Sequence, residues 1–390
     1  MDYKKQALKK HKEKQGKISI KSKMKIENKD DMSIAYTPGV AEPCREIEKD
    51  KSKVYDYTSK KNLVAVVSDG SAVLGLGNIG PEASMPVMEG KAVLFKEFAN
   101  IDAFPICLDT QDVDEIVQTV KFLQPTFGGI NLEDISSPRC VLIEDKLKQN
   151  LDIPVFHDDQ HGTAVVVSAA LINALKVVKK DIENIKVAIS GAGAAGYAIT
   201  KMLKELGVKN IIVSDSKGII NSKRKNLNFV KKRIQDSTNP EDIKGDFSNS
   251  FKMADVFIGV SVKDIVSKDM IKSMKKDPIV FAMANPDPEI LPKQAYEAGA
   301  KIVGTGRSDY PNQINNVLAF PGIFKGALDA KASDINEEMK IKAAYAIANT
   351  IDKKDLNEKN IIPYALNEDV VKNVSKAVYK AAKMTKISRD

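Results

Sequence analysis

Cysteine is scarce in this chain: Cys44, Cys107 and Cys140 are odd in number, far apart and without a C-x-x-C spacing. That excludes a disulfide framework or a zinc ribbon and fits a reducing cytoplasm. Also missing is an apolar run of the roughly 18 residues that a membrane span needs. The nearest stretch, Ala164 to Leu175, is shorter and has polar ends. The start of the chain lacks both the apolar core of a secretion signal and the arginines of a transit peptide. There is no internal repeat and, past the first residues, no low-complexity segment.

What is present is an ordinary globular composition, 43% hydrophobic and 29% charged over 390 residues, enough for two lobes and a cleft. The formal charge of +8 raises the question of a nucleic-acid binder. Its location answers against one. Residues 1–29 carry eleven lysines against Asp2, Glu13 and Glu27, which accounts for the whole excess and leaves the body neutral. A solvated arm or helix is expected there, with neither nucleic acid nor membrane as partner.

From Asn62 onward short apolar runs alternate with helical patterns, the signature of an α/β protein. Strands are expected at Leu63–Val67, Ile101–Leu108, Ile185–Ser190, Asn210–Ser214, Asp255–Val260, Pro278–Ala284 and Lys301–Gly304, the last five forming a parallel sheet. Beyond Gly322 strand signals stop, and amphipathic patterns over Ala327–Thr350 and Asn367–Lys383 predict terminal helices that cover a domain face.

Two stretches fit G-x-G-x-x-G, GLGNIG at 75–80 and GAGAAG at 191–196. The motif has force only with a strand before it, a helix after it and an acid some distance on. GAGAAG has all three: the strand ending at Ser190, a proline-free helix from Ala194 to Leu206, and Asp215 closing the next strand. Gly191, Ala192, Gly193, Ala194, Ala195 and Gly196 would let a pyrophosphate approach the helix N-terminus while Asp215 accepts from ribose hydroxyls. GLGNIG is followed at once by Pro81 and then by Pro86, so its helix is expected to begin near Pro86 rather than at the third glycine. On these residues alone, a loop approaching a ligand and an ordinary connection both stand.

Acids cluster at Asn131-Leu132-Glu133-Asp134 and at His157-Asp158-Asp159-Gln160-His161, each after a short apolar segment. Three carboxylates with open positions suit a hard cation such as Mg²⁺ or Mn²⁺, and separate surface turns are the alternative. His157 and His161 have the i, i+4 spacing of a zinc hydrolase, but Asp158 replaces the required Glu and the pair is expected in a loop ahead of the apolar helix. Lys91 follows Gly90 in an apolar helix, where burial can lower an amine's pKa and make it a base.

Taken together, AYTPGVAEPC (35–44), SDGSAVLGLGNIGPEASMPVMEGKAVLF (68–95), NLEDI (131–135), HDDQHGTA (157–164), GAGAAG, ANPDPE (284–289) and GRSDYPNQINNVLAFPG (306–322) resemble the malic enzyme family in its short bacterial form. The resemblance implies oxidative decarboxylation of L-malate to pyruvate and CO₂ with NAD or NADP and Mn²⁺ or Mg²⁺, at least as a homodimer. It implies two domains: after the arm of residues 1–30, a catalytic α/β domain at 31–160, a Rossmann-type NAD(P)-binding domain at 161–325, and C-terminal helices at 326–390 packing back on the core. Glu133, Asp134 and Asp159 match the metal ligands, Lys91 the general base, Tyr36 the general acid, and Asp158 the group that tunes the lysine. Thr163, Asn285 and Asn315 match segments lining the nicotinamide and substrate pocket. By the same likeness Lys91 takes the C2 hydroxyl proton as hydride leaves for the nicotinamide, the metal stabilises the enolate left by CO₂, and Tyr36 protonates C3. A retained nicotinamide with lactate as product, or a silent NAD-binding regulator, are the competing readings.

In the resemblance, the larger eukaryotic relatives hold a malate carboxylate with an arginine two residues after the Asp-Gly of this loop, where this chain has Ala72; Arg307 and Asn315 are the substitutes expected. Asp215 favours NAD by repelling a 2′-phosphate, while Ser216, Lys217 and Lys223-Arg224-Lys225 leave NADP open.

Overall fold

The computed structural model describes residues 3–73 and 75–389; Met1, Asp2, Leu74 and Asp390, which fall within the arm, the GLGNIG-bearing segment and the C-terminal region, lie outside them. Two sheets organise the chain. The first is four-stranded and wholly parallel, in the order β2-β1-β3-β4, with β1 at Leu63–Ser68, β2 at Asp102–Cys107, β3 at Gly129–Leu132 and β4 at Val155–His157. The strands β3 and β4 arise from the apolar runs ahead of the two acidic clusters. The second sheet runs β10-β9-β8-β5-β6-β7, with β5 at Lys186–Ser190, β6 at Asn210–Asp215, β7 at Gly218–Ile219, β8 at Val256–Gly259, β9 at Ile279–Ala282 and β10 at Ile302–Thr305. The five expected strands pair in parallel, and the two-residue β7, which carries no apolar run, adds an antiparallel edge.

Helices make the crossover returns that parallel pairing requires. Pro81–Ala99 joins β1 to β2, Val113–Leu123 joins β2 to β3, and Arg139–Asn150 joins β3 to β4. The first of these corrects the sequence expectation: it starts directly after the third glycine, with Gly80 at φ +80° ahead of it, and Pro86 lies inside it. Pro81 supplies a preset first-turn φ, and the single backbone bond lost at Pro86 is outweighed by burying Ser84, Met88, Lys91, Ala92, Phe95 and Ala99.

A second correction concerns the histidines. Asp158–Gly162 forms a π-helical turn continuous with the helix Thr163–Val178, so His161 is helical rather than in a loop. The expected boundary between 160 and 161 therefore falls inside a helix. The stretch Asp158–Val178 is long and apolar enough to cross a membrane by length and composition alone, longer than the sequence suggested because the turn extends it, but 78% of its apolar window is buried in this fold, as in a core helix. It packs against Glu337–Ala348 and Ala194–Glu205 and so ties the two sheets into one core.

Of the C-terminal helices, Phe320–Asp329 packs on Pro81–Ala99 and reaches the first sheet through Phe324, Glu337–Ala348 packs on Thr163–Val178, and Glu368–Met384 lies against both of them. Phe320 and Phe324 meet Phe95 edge to face at 4.8 and 5.2 Å, and Phe324 also meets Phe156 at 5.8 Å. Glycine makes the close approach possible: a Cβ on Gly322 would lie 2.7 Å from Val374 and one on Gly326 2.5 Å from the Ser375 carbonyl.

Candidate active site

In each sheet the strand order reverses at one point, and ligands of open α/β sheets bind outside the carboxyl ends of the strands there. In the first sheet the point is β1 with β2 and β3 on either side; in the second it is β5 with β6 and β8 on either side. A cleft of about 970 Å³ receives residues from both. Gly75, Lys91, Glu133, Asp158 and Asp159 line it from the first unit, and Ala195, Val260, Ser261 and Asn285 from the second.

Chain geometry after β3 and β4 brings the acids together. Asp134 adopts φ +53°, turning its backbone so that its N–H donates to Asp159 Oδ2 at 2.9 Å. One carboxylate oxygen from each of Glu133, Asp134 and Asp159 lies within 4.8 Å of the others. Asn131 Nδ2 donates to Glu133 Oε2 at 2.9 Å and fixes that side chain. Asp158 is wholly buried; a Cβ on Gly162 would fall 1.9 Å from its Oδ1, so only glycine permits this turn.

Lys91 reaches the group from the helix Pro81–Ala99. Its Nζ is 2.7 Å from Asp158 Oδ2 and 2.9 Å from Glu133 Oε1, and 4.1 Å above the Phe320 ring. Burial would lower its pKa, as expected from sequence, but the two carboxylates outweigh burial and raise it above the ordinary lysine value. Glu133 is pushed well up by burial and by Asp159, Asp158 and Asp134, against the pull of Lys91. The all-oxygen donor set fits a hard divalent cation on Glu133, Asp134 and Asp159.

The histidines are not among the clustered ligand atoms, although His157 Nδ1 is 3.9 Å from Asp159 Oδ2. His161 Nε2 is 2.8 Å from Glu144 Oε2, Lys340 Nζ is 3.2 Å from its other nitrogen, and burial lowers its pKa to about 4 in spite of Glu144. His157 is fully buried at the end of β4. The zinc-hydrolase geometry is absent among the described residues, where the acidic trio is the one clustered set of metal-ligating side chains.

The nucleotide side follows the glycine logic. Gly191, at φ +110°, packs where a Cβ would be 2.5 Å from the Val260 carbonyl, and a Cβ on Gly196 would be 1.8 Å from the Gly191 carbonyl. Nothing lies within 4 Å of the corresponding position on Gly193, which caps the helix Ala194–Glu205 and leaves its amides approachable. GLGNIG differs. Gly75, at φ +73°, abuts the Asn285 carbonyl, 2.9 Å from where its Cβ would be, so this loop meets the second unit at the wall of the cleft.

Thr163, Asn285 and Asn315 line the cleft; Thr163 Oγ1 donates to Asn316, which in turn donates to Asp158 Oδ2 at 3.1 Å. Asn316 was missed in sequence because it is one of two adjacent asparagines with no local feature to separate them. Tyr36 is not brought to this cleft: it follows the helix Lys29–Ala35 and is 70% exposed. Arg307 is also outside, its guanidinium held by Asp309 at 2.8 and 2.9 Å and stacked near Tyr310. Arg139, unnoticed in sequence, is spent on buried Asp69 at 3.1 Å. Asp215 is gripped by Arg224 at 3.0 and 3.1 Å and by Lys231 at 2.7 Å, which hold its carboxyl below the usual range against burial. The repulsion expected of Asp215 toward a 2′-phosphate is therefore countered by two cations.

Two family models match the chain: "Malic enzyme, N-terminal domain" over residues 14–148 and "Malic enzyme, NAD binding domain" over residues 160–383. The chain is 58% identical to the bifunctional malic/malolactic enzyme of Bacillus subtilis, covering 100% of this chain and 95% of that one. It is 58% identical to the NAD-dependent malic enzyme of Geobacillus stearothermophilus, covering 96% of this chain and 78% of the relative. Among solved structures, that of the NAD-dependent malic enzyme of Thermotoga maritima superposes with a TM-score of 0.93 at 52% identity, covering 96% and 98% of the two chains.

Proposed function

The chain belongs to the malic enzyme family of NAD(P)-dependent oxidoreductases, and on that premise we propose that its cleft converts L-malate to pyruvate and CO₂ with reduction of NAD(P), aided by Mn²⁺ or Mg²⁺. The observation that carries the reading is Lys91, held between Asp158 and Glu133 on the edge of a carboxylate trio and facing the nucleotide unit across one cleft.

Glu133, Asp134 and Asp159 would hold the cation, which supplies a Lewis acid for the enolate left when CO₂ departs. Asp158, fixed by Asn316, aims the Lys91 ammonium. Lys91 must shed a proton before it can take one from the malate C2 hydroxyl. Asp158 and Glu133 are what hold that proton, and Glu133 engaged as a ligand gives up its share of the hold. Phe320, whose ring lies 4.1 Å from the Lys91 ammonium, would give the reacting centre an apolar wall. Gly191 to Gly196 would bind the dinucleotide pyrophosphate, with Asn285, Asn315 and Thr163 around the nicotinamide and substrate. Tyr36 is our choice of acid for C3 on the likeness of its YTPGV segment; its exposed ring would be covered in the homodimer that we also propose. Three unpaired cysteines fit a cytoplasmic site of action.

The test is reduced-nicotinamide absorbance on mixing the protein with L-malate, Mn²⁺ and NAD or NADP, with EDTA controls and assays for pyruvate and lactate. Metal-dependent reduction matched by pyruvate is expected. Lactate without net reduction would favour the malolactic reading, which the name of the Bacillus subtilis relative keeps in view. No turnover of malate under any condition would overturn both.

A further inference from the structure

A dicarboxylate substrate calls for a cation that no carboxylate of the protein already pairs with. Two cations line the cleft, Lys91 and Lys17. Lys91 is committed to Asp158 and Glu133. Arg307 is taken by Asp309 and Arg139 by Asp69.

Lys17 is different. It belongs to the lysine-rich start of the chain, after the exposed helix Tyr3–Lys14, yet it is anchored on the helix that carries the base. Its backbone N–H donates to Glu89 Oε2 at 2.9 Å, and its Nζ donates to the Pro86 carbonyl at 2.6 Å. The ammonium lies over Gly90, 3.2 Å from where a Cβ would stand, so the absence of a side chain at 90 lets it lie against the helix one residue before Lys91. A neutral carbonyl uses one of the ammonium's three N–H donors, and the nearby Glu89 carboxylate, held by the Lys17 backbone N–H, supports its charge against burial.

We propose that Lys17 is a substrate-binding residue whose ammonium, at the mouth of the cleft, pairs with a carboxylate of the dicarboxylate substrate. The inference rests on the malate reading above. It gives part of the basic N-terminal segment a role in the reaction, and it takes the place of Arg307, expected from sequence to hold that carboxylate. The pairing is a point-charge contact from a flexible side chain, in contrast to a bidentate arginine fork.

The experiment compares Lys17→Gln and Lys17→Arg with the unaltered chain in steady-state malate oxidation, with inhibition by tartronate and glycolate as a second readout. Both inhibitors carry a hydroxyl beside a carboxylate, but only tartronate has a second carboxylate. Lys17→Gln is expected to raise KM for malate and Ki for tartronate roughly tenfold, the scale of one charge-assisted contact. KM for the nucleotide, Ki for glycolate and the melting temperature should stay within about twofold or a few degrees, and Lys17→Arg should recover most of the loss. Equal weakening toward tartronate and glycolate, or an unchanged malate KM, would overturn the assignment while leaving the activity intact. Failure of the unaltered chain to turn over malate would instead overturn the reading beneath it.

Discussion

Replacing Lys91 separates two things that its side chain does at once: it places positive charge between two carboxylates, and it offers a nitrogen for the malate C2 proton. Take charge first. The ammonium is 2.7 Å from Asp158 and 2.9 Å from Glu133, on a side chain 10% exposed. Removing one partner of a buried ion pair costs about 3–5 kcal/mol. Lys91→Ala should therefore melt at a lower temperature, and Mn²⁺ should restore part of the loss by neutralising the carboxylates left behind. Proton transfer by a positioned side chain contributes roughly 10²–10⁴-fold, or about 2.7–5.5 kcal/mol of barrier. Lys91→Arg tells the two effects apart, because a guanidinium keeps the charge and does not deprotonate in proteins. Both variants should lose at least about 100-fold in kcat for malate oxidation, with the arginine variant closer to the unaltered chain in melting temperature. The assay is nicotinamide reduction at saturating malate, paired with thermal melts with and without Mn²⁺. An arginine variant within tenfold of the unaltered kcat would refute Lys91 as the base, however unstable the alanine variant proves.

Three further outcomes are expected. Arg224→Ala removes the guanidinium that binds both oxygens of Asp215, so the carboxylate is freed toward ribose hydroxyls and the ratio of kcat/KM for NAD over NADP should rise roughly tenfold; an unchanged ratio would show that Asp215 does not read this part of the cofactor. Asp159→Asn should weaken Mn²⁺ binding, followed by calorimetry without substrate, by more than the roughly 10–100-fold of an outer-sphere loss, and unaltered affinity would remove it from the ligand set. His161 has its pKa lowered from 6.5 to about 4 in the fold, so it is neutral there while an unfolded chain still binds a proton between those values. Its contribution is present above pH 6.5 and lost as pH falls toward 4, up to about 3 kcal/mol. His161→Gln, whose amide can still donate to Glu144, should flatten the fall in melting temperature over that window; an unchanged slope would assign the acid sensitivity elsewhere.

Much of the fold was legible because strands of parallel sheets are buried on both faces and read as continuous apolar runs. The runs at Ile185–Ser190 and Asn210–Ser214 became β5 and β6 within a residue. β7 was not legible, since two residues paired at an edge carry no periodicity. The start of the helix Pro81–Ala99 was misjudged because a local rule about proline was applied to a helix stabilised by its buried face. At the site, Glu133, Asp134 and Asp159 were legible as acids at the ends of apolar segments, and the structure gathers their oxygens. Lys17 and Asn316 were not, because their place in the cleft is set by contacts 69 and 158 residues away in sequence. The partner of Arg307 was hidden for the same reason: a free arginine and one clamped by Asp309 look alike in sequence.

The two glycine fingerprints now separate on physical grounds that the pattern itself does not contain. After β5 the third glycine allows the helix to pack against the turn, and Gly193 leaves an open approach to amides with hydrogens to donate. After β1 the helix begins with Pro81, which has no N–H, and the first glycine is closed off by the Asn285 carbonyl of the other unit. One turn is therefore built to receive an anion and the other to receive a protein backbone. Gly75 and Asn285 meet at the wall of the cleft that Glu133 and Asp159 also line, so the two units touch there backbone to backbone. A side chain at position 75 would hold the units apart there, at a residue whose positive φ already favours glycine, so both the conformation and the contact exclude one.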